Sequence, residues 1–203
     1  PAAANSSEMI VTPTPVTTIC EVYFPETVND SVKHIAGYPF THNSTVPNRN
    51  ISNVRIWIFG EKTLTFTSVP VVSDTFNFSL PANQTQKMRG NYRIIFQYPK
   101  SGNTFDITLS IDQKHQEVHN KQGGLLLDLG NFPKNMTGFE AADILEREIQ
   151  KNGVEDFSTN LSLIVEHPFI GLDQISNPTL GDIITLHGRT NLPAGEDLET
   201  YIF

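Results

Sequence analysis

The chain has 203 residues, with 22 acidic against 14 basic side chains and a formal charge of −8. Lys and Arg are too few and too scattered to neutralise a run of phosphates, which excludes a nucleic-acid partner of the usual basic kind. No apolar run approaches the roughly 20 residues a membrane span needs, while the apolar content suffices for one large or two small cores.

Residues 1–15, "PAAANSSEMIVTPTP", read as an extended Pro/Thr-rich lead. The run "TTICEVYF" then has strand composition and carries Cys20, the one cysteine, so no disulfide can form within the chain. Cys20 is either an intermolecular bridge or a buried thiol acting as a small hydrophobe, and the local alternation leaves both open. Residues 26–50 are polar and rich in turn formers, which predicts a surface loop.

Five short runs follow, "VRIWIFG", "TLTFTSVP", "TFNFSLP", "NYRIIFQYP" and "TFDITLSI", each β-branched or aromatic and bounded by Gly, Pro, Asn or Asp. This spacing predicts an antiparallel β-sandwich. "VRIWIF" and "YRIIFQY" are apolar on nearly both faces, as suits central strands. One helix is expected at about 137–151: Thr137 and Glu140 have the capping-box spacing, Phe139, Ala142 and Leu145 or Ile149 share a stripe, and Gly153 follows as a stop. "STNLSLIVEHPFI" reads as another strand, and two more bracket the turn "TNLPAG". The expected organisation is an extended segment 1–15, a main β-sandwich domain over 16–165 and a partial second β-module over 166–203.

The sequon N-x-[ST] occurs at Asn5, Asn29, Asn43, Asn50, Asn77, Asn83, Asn135 and Asn160. That is an excess over the about three that chance gives for this composition, and it points to an extracellular, cell-surface glycoprotein carrying N-linked glycans. In "TFNFSLP" the period of two sets Asn77 opposite Phe76 and Phe78. In "NLSLIV" it sets Asn160 opposite Leu161 and Leu163. A glycan at either position stays out of the core.

The order "RIWIFG…TLTFTSVPV…DTFNFSLP…GNYRIIFQYP", the helix "GFEAADILEREIQ" feeding "LIVEHPFIGLD", and "GDIITLHGRTNLPAG" together resemble secreted surface proteins of methanogenic archaea, of the S-layer or sheath type. The resemblance covers roughly residues 54–203 and implies immunoglobulin-like β-sandwich modules, secretion, glycosylation and a structural role outside the cell.

Catalytic and metal signatures are weak. His115 and His119 stand four apart without an evident third ligand. Asp182, Glu196 and Asp197 could offer oxygens to calcium, but without an ordered loop spacing, and Asp128 is uncommitted. Trp57, Phe59 and Tyr98 could stack on sugar, although lone aromatics in strands are usually core. No nucleophile elbow, phosphate loop or paired-cysteine site is present, so no enzyme and no required cofactor are expected.

The last run, "EDLETYIF", is apolar on both faces, and Leu198, Thr200, Tyr201, Ile202 and Phe203 are the expected assembly edge, with residues 1–24 as the expected donor strand. The sequence thus predicts a structural protomer that pairs with copies of itself through β-edges. The alternative is a secreted adhesion or carbohydrate-binding module.

Overall fold

The computed structural model describes residues 31–46, 50–99, 104–111, 116–134, 136–174 and 187–196. The described residues up to Pro168 belong to one compact unit and those from Phe169 onward to a second.

The first unit is mainly β. A sheet of seven strands contains β1 (Ser31–Ile35), β2 (Phe40–Thr45), β3 (Asn53–Gly60), β4 (Leu64–Val72), β5 (Thr75–Leu80), β6 (Gly90–Pro99) and β10 (Asp156–Glu166). Their order is β1-β10-β6-β3-β4-β5-β2, antiparallel throughout except that β1 runs parallel to β10. Consecutive strands β1 and β2 stand at opposite ends of this order but are joined by only a few residues, so the sheet curls until it is nearly a barrel. Thr85, in the one-turn helix α1 (Ala82–Thr85), fixes that junction. Its hydroxyl donates to the Tyr38 carbonyl at 2.7 Å and accepts from the Gly37 N–H at 3.2 Å.

The central strands are buried on both faces, which is why they read as apolar throughout. Val54, Ile56 and Ile58 of β3, with Tyr92, Ile94 and Phe96 of β6, enter a core closed by Phe40, Phe76, Phe78 and Leu80. Trp57, Phe59 and Ile95 point the other way, into a second core. That core is covered by α2 (Gly138–Ile149) through Ala141, Ala142, Leu145 and Ile149. It also takes Ile107, Val118 and Leu127 from around a small sheet of β7 (Thr108–Ile111), β8 (Gln116–His119) and β9 (Leu125–Asp128).

The α2 start has the capping box expected from sequence: Thr137 Oγ1 accepts from the Glu140 N–H, and Glu140 returns a carboxylate to the Thr137 N–H at 2.7 Å. Gly138 lies so close to the Gly60 carbonyl that any Cβ would overlap it, and its N–H donates to the Glu61 carbonyl.

Three expectations need correction. The polar stretch 26–50 is not all loop, since it holds β1 and β2; the inward positions of β2 include His42 and Ser44, so apolar alternation is missing although His42 stacks on Phe96 at 4.8 Å. The run "TFDITLSI" contributes β7 to the small sheet rather than a fifth strand to the main one. Phe139 is only half-buried, and Ala141 takes part in the apolar stripe of α2 instead.

In the second unit, β11 (Ile170–Leu172) pairs antiparallel with β12 (Gly188–Thr190). Asn191 Oδ1 accepts from the Phe169 N–H at 3.0 Å, and the Thr190 hydroxyl donates to the Phe169 carbonyl at 2.7 Å.

Candidate assembly edge

Strands β4 and β5 meet through a two-residue turn in which Ser73 and Asp74 both have positive φ, 52° and 60°. Such a turn continues the right-handed twist of the flanking strands. Beyond the turn, pairing between the two is confined to Val71 with Phe76 and Val72 with Thr75. From there β4 follows β3, and β5 follows β2 along its full length. The two strands therefore diverge like an opened hinge.

The divergence leaves backbone groups without a described strand opposite them. The Val71 N–H donates to the Ser52 carbonyl on the β3 side. By the alternation of an antiparallel ladder, Leu64, Phe66 and Ser68 turn their N–H and C=O groups the other way, toward the gap. Pro70 is in the same set, where the missing N–H costs no ladder bond. On β5 the corresponding groups are those of Asn77 and Ser79.

The gap is a groove of about 610 Å³. Buried Ile58, Phe78, Leu80 and Tyr92 contribute to its walls together with exposed Thr65, Thr67, Ser79 and Lys87. Thr65 and Thr67 stand on the face of β4 whose later members, Val69 and Val71, pack on the first core. Apolar surface thus lies beside backbone groups that have no strand partner among the described residues, as an added strand requires.

A second polar constellation lies on the far side of the sheet. Trp57 Nε1 donates to Gln97 Oε1 at 2.8 Å, and Gln97 Nε2 donates to Asp156 Oδ2 at 2.6 Å. Asp156 also accepts from the Ile107 N–H at 2.9 Å and the Asp106 N–H at 3.0 Å, and it is only 4% exposed. Burial raises its carboxyl above the ordinary 3.8, against the opposing effect of these hydrogen bonds. Arg55 reaches the Ile107 carbonyl at 2.8 Å and lies over the Phe105 ring at 4.3 Å. Burial lowers the Arg55 pKa, and the nearby Asp156 charge counters this. Both carboxylate oxygens of Asp156 are occupied by protein donors, so the network pins residues 105–107 onto the sheet.

The chain matches no family model and no curated protein.

The sites expected from sequence fall unevenly across the structure. Asn5, Asn29, Asn135, Cys20, His115, Asp182 and Asp197 lie outside the described residues, as do Leu198, Thr200, Tyr201, Ile202 and Phe203. Asn43, Asn50, Asn77, Asn83 and Asn160 are all exposed, and Asn43 is the direct cross-strand partner of Asn77. Asn160 Nδ2 donates to Glu146 Oε1 on α2 at 2.6 Å. Trp57, Phe59 and Tyr98 are buried and so offer no sugar platform.

His119 is on a strand, where it meets Glu117 at 3.0 Å, so the helical spacing from His115 does not apply. Asp128 accepts from the N–H groups of Gly130 and Asn131 in a tight turn. Glu196 is exposed, and no group of three or more potential metal ligands occurs among the described residues. No helix among them is long and apolar enough to cross a membrane. Sequence reasoning missed the β4–β5 groove. The visible trace is the alternation of Thr65 and Thr67 on one side of β4, with Thr63 just before the strand, which leaves that face half-polar where a closed core would be apolar.

Proposed function

We propose that the chain is an extracellular structural protomer that assembles with copies of itself into a cell-surface layer, sheath or filament through β-edge pairing. The observation that carries this reading is the stretch of β4 that faces an apolar groove with no strand opposite it among the described residues. An inserted strand could bond Leu64, Phe66 and Ser68 on one side and Asn77 and Ser79 on the other. Each such bond is worth about 0.5–1.5 kcal/mol net, with apolar burial adding about 25 cal/mol per Å².

The donor we favour is the strand-like segment within residues 1–24 of a neighbouring copy, where Cys20, Val22 and Phe24 fall on one side by the period of two. The excess of sequons and the resemblance to secreted surface proteins of methanogenic archaea support the extracellular setting. The parallel β1–β10 pair and the β10-β6-β3-β4 order support an immunoglobulin-like reading of the main domain.

Ser68→Pro tests the edge, because it removes an N–H that faces the gap and none that bonds β3. Light scattering of the full chain across a concentration series should show assembly, and the variant should need at least about tenfold more protein to assemble at unchanged circular dichroism. A chain that stays monomeric at the highest soluble concentration would sink the proposal. The groove also favours a second reading, an adhesion module binding carbohydrate, since Thr65, Thr67, Ser79 and Lys87 offer hydroxyls and a cation. In that case soluble oligosaccharide shifts the resonances of groove residues while the chain remains monomeric.

A further inference from the structure

The exposed sequons are not equivalent once their third residues are considered. An enzyme reading N-x-[ST] must reach the Asn amide and the hydroxyl together. In an extended strand, side chains i and i+2 share a face, so a sequon in a strand presents both groups to one side. Asn43 with Thr45 on β2, and Asn77 with Ser79 on β5, have this arrangement, and all four residues are exposed.

The others are compromised in the folded chain. Asn83 is followed by Thr85, which is fully buried with its hydroxyl bonded to the Tyr38 and Ala82 carbonyls. The Asn160 nitrogen, the atom a glycan would occupy, is committed to Glu146. At Asn50 the partner hydroxyl, Ser52, accepts from Asn53 Nδ2 at 3.0 Å.

The two favourable sequons are also coupled. Asn43 lies opposite Asn77, flanked by Thr41 opposite Ser79 and Thr45 opposite Thr75. The inward residues of β5 point their N–H groups at β2, because the Val46 N–H bonds the Asp74 carbonyl and the ladder alternates from there. Asn43 and Asn77 therefore form a non-hydrogen-bonded pair, in which Cα atoms approach to about 4.5 Å and side chains stand closest. A pyranose ring with its substituents is wider than that separation. The outer row is uncharged and polar throughout, which suits sugar hydroxyls.

We propose that, among the described sequons, those on the outer face of the β2–β5 pair bear the glycan, and that Asn43 and Asn77 are alternative acceptors of a single N-linked glycan. This inference rests on the extracellular reading above but not on β-edge assembly.

The test is peptide-level mass spectrometry of protein purified from its source, with Asn43→Gln and Asn77→Gln expressed in the same cells. Occupancies at Asn43 and Asn77 should sum to no more than one and exceed those at Asn83 and Asn160. Asn43→Gln should raise occupancy at Asn77, and Asn77→Gln should raise it at Asn43. A sum well above one overturns the exclusion, and a glycan on Asn160 or Asn83 with both of these bare overturns the site assignment. A chain without any glycan sinks the extracellular reading itself, an outcome separate from the other two.

Discussion

The two faces of β3 and β6 are closed by opposite means. On one face, Phe96 lies among Phe76, Phe78 and His42, and the seal is made by the sheet curling over its own aromatic side chains. On the other face, Trp57 sits under α2 and is tied through Gln97 to Asp156, so apolar packing and a buried polar chain act together. No buried side-chain polar atom lacks a partner among the described residues. The difference is one of tolerance. An apolar core loses stability roughly in proportion to volume removed, whereas a buried network fails when any one partner is lost.

The largest effect should come from Trp57→Ala. It removes about 3–5 kcal/mol of packing, as Phe96→Ala should on the opposite face. It also strands Gln97 Oε1, for about 1–3 kcal/mol more. Conservative changes separate the faces more cleanly. Phe96→Leu should cost under about 1.5 kcal/mol in urea unfolding. Trp57→Phe, which also keeps an aromatic ring in place, should cost about 1–3 kcal/mol more for the donor lost to Gln97. Equal costs for the two conservative variants would remove the distinction.

Next in size is Asp156→Asn, at about 3 kcal/mol, because an amide turns an N–H₂ toward one of three N–H donors and leaves Arg55 without its counter-charge. Its signature is in the pH dependence. The native carboxyl titrates above its ordinary value of 3.8, so the folded state binds the proton first on acidification. The contribution of Asp156 is therefore fullest below the unfolded pKa and is lost as pH rises through the native one. Relative to wild type, the variant should lack this acid-side gain when unfolding free energies are compared across that window. Parallel curves would show that Asp156 is not the titrating group.

Parts of this contrast were legible in the sequence. The two-sided apolar pattern of "VRIWIF" and "YRIIFQY" marked the central strands, and Thr137 with Glu140 marked the helix start, because both depend on neighbours within a turn or a strand. The first two strands were hidden because His42 and Ser44 occupy inward positions of β2, and only the distant Phe96 makes His42 a packing residue. The Gln97–Asp156 bond joins residues 59 apart, and neither residue has a local pattern that announces burial. The open edge was the least legible of all. It arises because β4 keeps to β3 while β5 keeps to β2, a choice made by two pairings that no single segment records.

The smallest effect separates the helix cover from the rest of its face. Thr137→Ala removes the cap of α2, worth about 1 kcal/mol and within 0.5–2. In the same change Glu140 loses its bond to the Thr137 hydroxyl and keeps the one to the backbone N–H of residue 137. Its carboxyl is held below the ordinary 4.5, first by the bond to the Thr137 N–H and then by the Thr137 hydroxyl. This pairing favours the fold above the unfolded pKa and fades as pH falls through the native one, opposite in sign to Asp156. Hydrogen exchange should resolve the outcome residue by residue. The first-turn amides of α2 should lose protection, while Phe76, Phe78 and Ile94 in the aromatic core keep theirs, since local opening follows the packed unit that is weakened. If protection falls equally on both sides, the two faces unfold as one, and the contrast between them is confined to chemistry and does not extend to local stability.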